Sequence, residues 1–519
     1  MKKQIICTFL VILSFFISHT SYAKDRPTIA LVLGGGGARG MAHIGVLKML
    51  EEYRIPIDYI VGTSMGAIVG ASYATGMSPS ELEQIMISTD WKNMFNDTPS
   101  MENLDFRQKT EERFYLNLEM GVKNGDLVMP TGFIAGQKLD FLLRSLAPEE
   151  EVGSFDDFAI PFKCIATNVG TGEAVILDNG NLVESIRASM AVAGIFTPVT
   201  IDNEVLVDGG YTKNLPIDVA RGAFHPDIII AVDVGVPLMP SKDLKTFIDY
   251  SSQVTNILFL HTTKEQIKTL DPKDILIKPD LGNIAVSAFD KAETIIADGE
   301  EIAVKIREEL KQYSVSTEEY KEFLLKQRRG MQKELIVDFI DIAPTKTVSE
   351  KQIRARIRSK TGKPLDLKTL KNDLTRIYTL GSFEVVDYNI TTNNGKTGIL
   401  IIPIEKPWGP NYFKFGIQAQ DQLKDDNTFN VYAMYKRLNL NSLGGEFRLQ
   451  PIIGNNIGFL TDFYQPLDYA NTFYINPKAH ILKNTADIYD GNDRIARYRT
   501  WDFSGGITAG VNFGPSARI

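Results

Sequence analysis

Three short stretches of this chain carry residues able to do chemistry together. Gly62-Thr63-Ser64-Met65-Gly66 places a serine in a Gly-x-Ser-x-Gly pentapeptide, between the apolar run Tyr59-Ile60-Val61 and a helix of small residues. That spacing predicts a nucleophile elbow, a sharp strand-to-helix turn whose flanking glycines lift the hydroxyl clear of the backbone. Gly34-Gly35-Gly36-Gly37-Ala38-Arg39-Gly40 ends another apolar run and opens a second helix. Its unpaired backbone N–H groups can face an anion. Asp208-Gly209-Gly210 follows the run Val205-Leu206-Val207 and offers a carboxylate.

A serine hydroxyl needs a base within hydrogen-bond reach. Of five histidines, His19 lies in a leader-like stretch, His480 in an alternating strand, and His43 and His261 on helical stretches that favour packing or solvent. His225, in Ala223-Phe224-His225-Pro226-Asp227, is the one candidate for a triad, but it precedes the strand Ile228–Val232, whereas elbow serines follow strands. The other reading makes Asp208 the base. An aspartate with a reference pKa of about 3.9 then requires partial desolvation to gain basicity. Gly35-x-Gly37-x-x-Gly40 also matches a dinucleotide fingerprint. That reading fails because the next strand ends in the serine elbow and not in a ribose-binding acid, despite Asp58 nearby. Arg39 either holds the glycine loop or meets an anionic lipid head group.

Together these motifs resemble the three signatures of patatin-like phospholipases, with further matches at Ala188-Ser189-Met190-Ala191, Phe196-Thr197-Pro198-Val199 and Asn214-Leu215-Pro216. Ala193 departs from the proline common in that family. The resemblance implies acyl-ester hydrolysis of lipids by a Ser64–Asp208 dyad without a catalytic histidine. It implies oxyanion donors at Gly35, Gly36 and Gly37, with Gly34, Arg39, Gly40, Gly62, Gly66, Gly209 and Gly210 supporting them. Neither metal nor other cofactor is expected. The substrate is expected to be membrane phospholipid.

The elements needed to position these residues can be read around them. Strands alternate with helices between residues 28 and 311, which predicts a mainly parallel sheet flanked by helices on both faces, with the site at the carboxyl ends of its strands. The irregular stretch from Asp90 to Gly132, carrying Met94, Phe95, Phe106, Phe114, Tyr115, Met120 and Met129, is read as a lid or acyl-chain wall, or as ordinary core.

A length of 519 residues predicts several domains. A net charge of −8 argues against nonspecific nucleic-acid binding. Lys2 and Lys3, an apolar run to Ile17 and Ser21-Tyr22-Ala23 predict a secretory signal peptide over 1–23. Cys7 leaves with it, so Cys164 has no disulfide partner. The catalytic domain is expected over 24–312 and a helical linker over 313–332. The order β-α-α-β-β over 333–407, with Ile353, Ile357, Leu370, Leu374 and Ile377 at the spacing of a buried face, resembles a POTRA domain.

Over 408–519 apolar residues alternate with polar ones in six runs, as in Phe413, Phe415 and Ile417 against Tyr412, Lys414 and Gln418. This predicts transmembrane β-strands. Six are fewer than the 8 of the smallest bacterial barrel, and open edges in lipid are untenable. The expectation is therefore a partial barrel, truncated, frame-shifted or completed by other chains, with truncation favoured. The whole arrangement resembles a patatin-type (type Vd) autotransporter of Gram-negative bacteria. It implies association with the outer-membrane bilayer, handling by the barrel-assembly machinery during biogenesis, and a catalytic domain at the cell surface or in the periplasm. The rival reading is a translocation or assembly device with the α/β domain as passenger.

Overall fold

Continuous apolar runs such as Ile29-Ala30-Leu31-Val32-Leu33 suit strands covered on both faces, and they form the parallel centre of the first sheet. The computed structural model describes residues 26–116, 118–147, 153–328, 335–420, 428–491, 493–514 and 517–518; the leader expected over 1–23 lies outside these. The first ten strands are β1 (Ile29–Leu33), β2 (Tyr59–Thr63), β3 (Met120–Lys123), β4 (Asp126–Val128), β5 (Phe162–Asn168), β6 (Ala174–Leu177), β7 (Val199–Ile201), β8 (Glu204–Asp208), β9 (Ile228–Val232) and β10 (Ile275–Ile277). Eight of them form one sheet in the order β10-β9-β1-β2-β5-β8-β7, with β6 also paired to β5. Alternate residues of β1 enter different cores: Leu31 and Leu33 meet the helices Ala42–Glu52 and Met65–Ala74, while Ala30 and Val32 pack with Leu215, Ile217 and Ala220. Helices thus cover both faces, the expected α/β layering. Cys164 is buried and free.

The sheet is parallel from β10 to β5 and antiparallel beyond it. Strand β8 therefore approaches the site from the direction opposite to β2. Thr63 pairs with Ile165 and Asp208 with Ala166, so Ser64 and Asp208 reach the same level of the sheet from the two sides of β5. The helix Thr317–Gln327, read from sequence as part of a linker, packs back onto the α/β core: Tyr320 is buried and Gln327 Nε2 donates to the Tyr73 carbonyl at 2.8 Å.

A second, smaller core contains Ile353, Leu370, Leu374, Ile377, Val386 and Ile399. Around it lie β11 (Ile336–Val337), β12 (Phe339–Ile342), β13 (Lys363–Pro364), β14 (Phe383–Asn393), β15 (Lys396–Glu405) and the helices Glu350–Arg354 and Leu367–Tyr378. The β14–β15 hairpin closes through Asn394 and Gly395, both at positive φ (52° and 74°), as a two-residue hairpin turn demands.

The C-terminal strands are β16 (Asn411–Gln420), β17 (Thr428–Arg437), β18 (Glu446–Gly454), β19 (Ile457–Pro466), β20 (Phe473–Asp490), β21 (Asp493–Phe513) and β22 (Ala517–Arg518). They run antiparallel in sequence order and are extended at β16 by the β3–β4 hairpin, giving nine strands. Among the described residues this sheet is an open path from β22 to β4, not a closed barrel. In β16 to β18 the sidedness inverts that of a water-soluble sheet, while β21 is exposed along nearly all its length. Ile417, Ile453 and Ile507 are 61%, 67% and 76% exposed, while Lys414, Lys436 and Arg448 are buried. No described helix is long and apolar enough to cross a membrane.

The Asp90–Gly132 stretch is more regular than its sequence suggested. It forms the helices Trp91–Met94 and Phe106–Phe114 and the β3–β4 hairpin. Of its large apolar residues, Trp91 and Phe95 face the candidate site, whereas Tyr115 and Met120 turn to the C-terminal sheet. A single lid over the site is not what this segment forms.

Candidate active site

Ser64 occupies the turn between β2 and the helix Met65–Ala74, with φ 54° and ψ −123°. A non-glycine residue at positive φ is strained, and such strain persists where the surroundings enforce it. They do so here through Gly62 and Gly66. A Cβ on Gly62 would lie 2.4 Å from the Gly66 carbonyl oxygen, and one on Gly66 would lie 2.2 Å from that of Leu33. The Ser64 N–H donates to Ser189 Oγ at 3.0 Å, which pins the turn to the helix Leu182–Ser189.

The Asp208 side chain is fully buried. Its Oδ1 accepts the Gly210 N–H at 2.7 Å, while Oδ2 has no hydrogen bond of ordinary geometry. Burial pushes the carboxyl up to about 7; the Gly210 N–H and the nearby Ser64 hydroxyl offset only part of that rise. A base with a pKa near 7 is matched to work at neutral pH, and contacts of this kind commonly tighten only when substrate is bound. Gly209 packs on the Ile165 carbonyl and Gly210 against the Phe259 ring, which leaves no room for larger side chains beside Asp208.

The glycine loop passes directly beside the serine: a Cβ on Gly35 would stand 3.1 Å from that of Ser64. Its amides are not equivalent, and one sequence expectation is corrected. The Gly34 N–H donates to Val232 O and the Gly35 N–H to Asn214 O, each at 3.1 Å. Gly35 is thereby removed as an oxyanion donor, because a backbone N–H already paired in this way is not free for a second acceptor. The N–H groups of Gly36 and Gly37 have no partner among the described residues. Gly37 holds φ 56°, and its missing Cβ would meet Val286 O at 2.5 Å. Gly40 lies against Met65.

Arg39 resolves the two readings left open above in favour of the loop. It is buried and donates to the carbonyls of Val234 (3.0 Å), Gly235 (3.0 Å), Gly282 (3.1 Å) and Ile284 (2.9 Å). No guanidinium face is left for a head group. Leaving these acceptors unpaired costs about 1–3 kcal/mol for each buried group. Arg39→Met is therefore expected to loosen the loop and lower kcat for ester substrates by roughly tenfold or more. A kcat within twofold of wild type, measured on folded protein, would refute that role.

His43 is buried, its Nε2 2.8 Å from the Gly34 carbonyl, and burial lowers its pKa to about 4, so it is neutral and structural. His225 is exposed at the helix end before β9, at the opposite end of the sheet from Ser64. Three contributors were not assigned roles by sequence reasoning. Ser189 anchors the serine turn. Asn214 holds the glycine loop through its carbonyl and through Nδ2, which reaches Gly35 O at 3.3 Å. The Met65 N–H, first in its helix, has no intrahelical acceptor and points from the residue after the serine. The last was legible from the elbow pattern itself.

Above Ser64 opens a cavity of about 740 Å³, lined by Ile68, Trp91, Phe95, Met190, Phe196 and Phe289 among others. An alcohol on a strained turn, a desolvated carboxylate, free amides and an apolar chamber together suit nucleophilic attack on an ester with a long apolar arm.

Comparison with known proteins agrees. Residues 31–221 match the family described as patatin-like phospholipase, and this part of the chain is a patatin-like phospholipase domain. The chain is 34% identical over 225 residues to patatin-like phospholipase domain-containing protein 6 of Mus musculus and of Homo sapiens, covering 43% of this chain and 14% of theirs. It is 35% identical over 208 residues to lysophospholipase nte1 of Aspergillus fumigatus, covering 40% of this chain and 12% of that one. The chain thus spans about one seventh of the length of these relatives. Among solved structures, VipD from Legionella pneumophila aligns at TM-score 0.31 and 13% identity, over 56% of this chain and 67% of VipD. BamA from Haemophilus ducreyi aligns at TM-score 0.25 and 11% identity, over 35% of this chain and 45% of that one.

Proposed function

We propose that this protein is a lipid acyl hydrolase of phospholipase A type, with Ser64 as nucleophile and Asp208 as general base. The observation that carries the reading is the buried carboxylate of Asp208 level with a serine held at φ 54° beside unpaired loop amides. In this mechanism Ser64 Oγ attacks the ester carbonyl carbon while its proton passes to Asp208. The N–H groups of Gly36, Gly37 and Met65 hold the oxyanion. Collapse expels the alcohol portion of the lipid, which takes the proton from Asp208. Water then attacks the acyl-enzyme, again losing its proton to Asp208; the bond to Ser64 Oγ breaks, that oxygen takes the proton back from Asp208, and the fatty acid leaves.

The proposed arrangement is a leader over 1–23, the catalytic domain over 24–312, the connecting helix, a POTRA-like module over 333–407 and an outer-membrane sheet over 408–519. Support for membrane association comes from strands β16 to β18, where Ile417, Phe429 and Ile453 are exposed while Lys414, Lys436 and Arg448 are buried. Phospholipid is the proposed substrate, and the apolar cavity suits its acyl chain.

The test is incubation of the full chain with a phospholipid bearing different acyl chains at its two ester positions, with products resolved by mass spectrometry. Release of fatty acid and lysophospholipid, absent with Ser64→Ala, is the expected result. Intact phospholipid, or equal release by Ser64→Ala, would refute the reading. Ile68→Phe narrows the chamber and is expected to lower turnover of long-chain esters at least about tenfold more than short-chain ones. An unchanged ratio of the two rates would place the acyl chain elsewhere.

A further inference from the structure

The polar face of the C-terminal sheet is not empty. The helix Phe106–Phe114, an insertion of the α/β unit, lies against it, and its charges meet those of four consecutive strands. Glu111 accepts from Lys436 Nζ at 2.8 Å and lies 3.1 Å from both Lys414 Nζ and Arg448 Nη2. Arg107 bridges Asp462 at 2.7 Å and Glu446 at 3.2 Å, and its guanidinium stacks 4.6 Å above the Tyr464 ring. Beyond the helix, Tyr115 Oη donates to Gln450 at 3.0 Å, the Leu116 N–H to Phe415 O at 2.7 Å, and Lys406 pairs with Glu119 at 2.6 Å. Strand β3 then adds to the edge of the sheet at β16.

The two faces complement each other in charge. Three cations of β16, β17 and β18 converge on one carboxylate, and two carboxylates of β18 and β19 converge on one cation. Burial alone would raise the Glu111 carboxyl, yet Lys436, Arg448 and Lys414 hold it far below the usual range. Separation would strand these groups without their counter-charges, which is costly for any of them that stays dehydrated.

We infer that the helix Phe106–Phe114 is a plug: it fills the polar concavity of the C-terminal sheet and holds the α/β unit there independently of the chain that connects them. Two consequences follow. Cutting the connection after the helix Thr317–Gln327 leaves the α/β unit bound and not released. And the concavity cannot serve as a conduit for another chain while the helix is seated. The inference depends on this interface alone and stands apart from the chemistry at Ser64.

A specific protease site placed between Arg328 and Leu335 of the full chain tests it, with the cut protein held in detergent micelles and fragment dissociation followed by size exclusion. The uncut-length pair of fragments is expected to co-elute. Arg107→Glu and Glu111→Gln are each expected to speed dissociation at least about thirtyfold. Arg354→Glu, at an exposed ion pair away from the interface, should leave the rate unchanged. A cooperative thermal transition like that of the wild type reports whether each variant is folded, and Glu111→Gln decides the matter should Arg107→Glu not fold. Prompt release of the wild-type fragment, or release rates unaltered by Glu111→Gln, or acceleration by Arg354→Glu equal to it, overturns the inference. In the second case the contact of Gln137 with the Val386 backbone would suffice to hold the units together.

Discussion

Replacing Ser64 by alanine, or Asp208 by asparagine, is expected to lower kcat/KM for esters by about a thousandfold or more. The first change removes the proposed nucleophilic oxygen. The second keeps the size of the side chain and removes the proposed proton acceptor; His43 does not replace it, being neutral, buried and turned to the Gly34 carbonyl. His225→Ala is the matching control. Its side chain is exposed at the far end of the sheet, so turnover within about twofold of wild type is expected. Near-wild-type activity of folded Ser64→Ala would remove the nucleophile assignment, and a strong loss in His225→Ala would restore a triad.

The second large effect concerns pH. With ionised Asp208 as the proposed base, kcat/KM should rise with pH through about 7 and then level off. The same burial sets stability in the opposite direction. The folded-state pKa, about 7, lies above the unfolded reference of about 3.9. Between these values the native chain keeps a proton that the unfolded chain has released, so stability falls as pH rises from about 4 to 7 and is flat above. The total corresponds to on the order of 4 kcal/mol. Asparagine carries no charge to desolvate. Asp208→Asn is therefore expected to melt above wild type at pH 8, by roughly 5–10 °C, with the difference vanishing near pH 4. Thermal unfolding of the α/β unit at the two pH values measures this. A variant that melts below wild type at pH 8, or a pH–rate profile flat between 5 and 9, would show that Asp208 is not the desolvated base.

Such a cost is expected of a working site, where stability is traded for a group held in an unfavourable state. It also explains why the surroundings of Asp208 are so tightly specified. The Gly210 N–H, Ser189 with its link to Ser64, and Asn214 on the glycine loop all act to hold parts that would not stay together unaided.

Legibility from sequence followed the range of the interactions involved. The elbow at Ser64 and the glycine loop are strand–turn–helix units whose residue pattern alone exposes them, although the loop glycines Gly36 and Gly37 are required by the distant neighbours Val234 and Val286. Strand identities in the α/β unit were legible for a similar reason: buried parallel strands are unbroken apolar runs. The alternation beyond Pro410 likewise announced a two-faced sheet. Which face meets solvent cannot be read from alternation, and the structure answers it with exposed Ile417 and Ile453 against buried Lys414 and Arg448.

Sequence by itself determined the reactive groups of this protein: the serine on its strained turn, the loop of amides and the carboxylate that follows β8. Tertiary structure alone decided what each group is free to do. The Gly35 amide is withdrawn by Asn214, 179 residues away, and Arg39 is consumed by carbonyls 195 to 245 residues on. The Asp208 carboxyl is raised because folding strips its water, and β8 enters antiparallel to set it level with Ser64. The charged helix Phe106–Phe114 has an ordinary surface sequence, yet its Glu111 meets cations more than 300 residues further along. Dihedral preference is local, so residue order encodes it directly. Desolvation and charge pairing depend on what the rest of the chain brings alongside, and only the folded arrangement settles that.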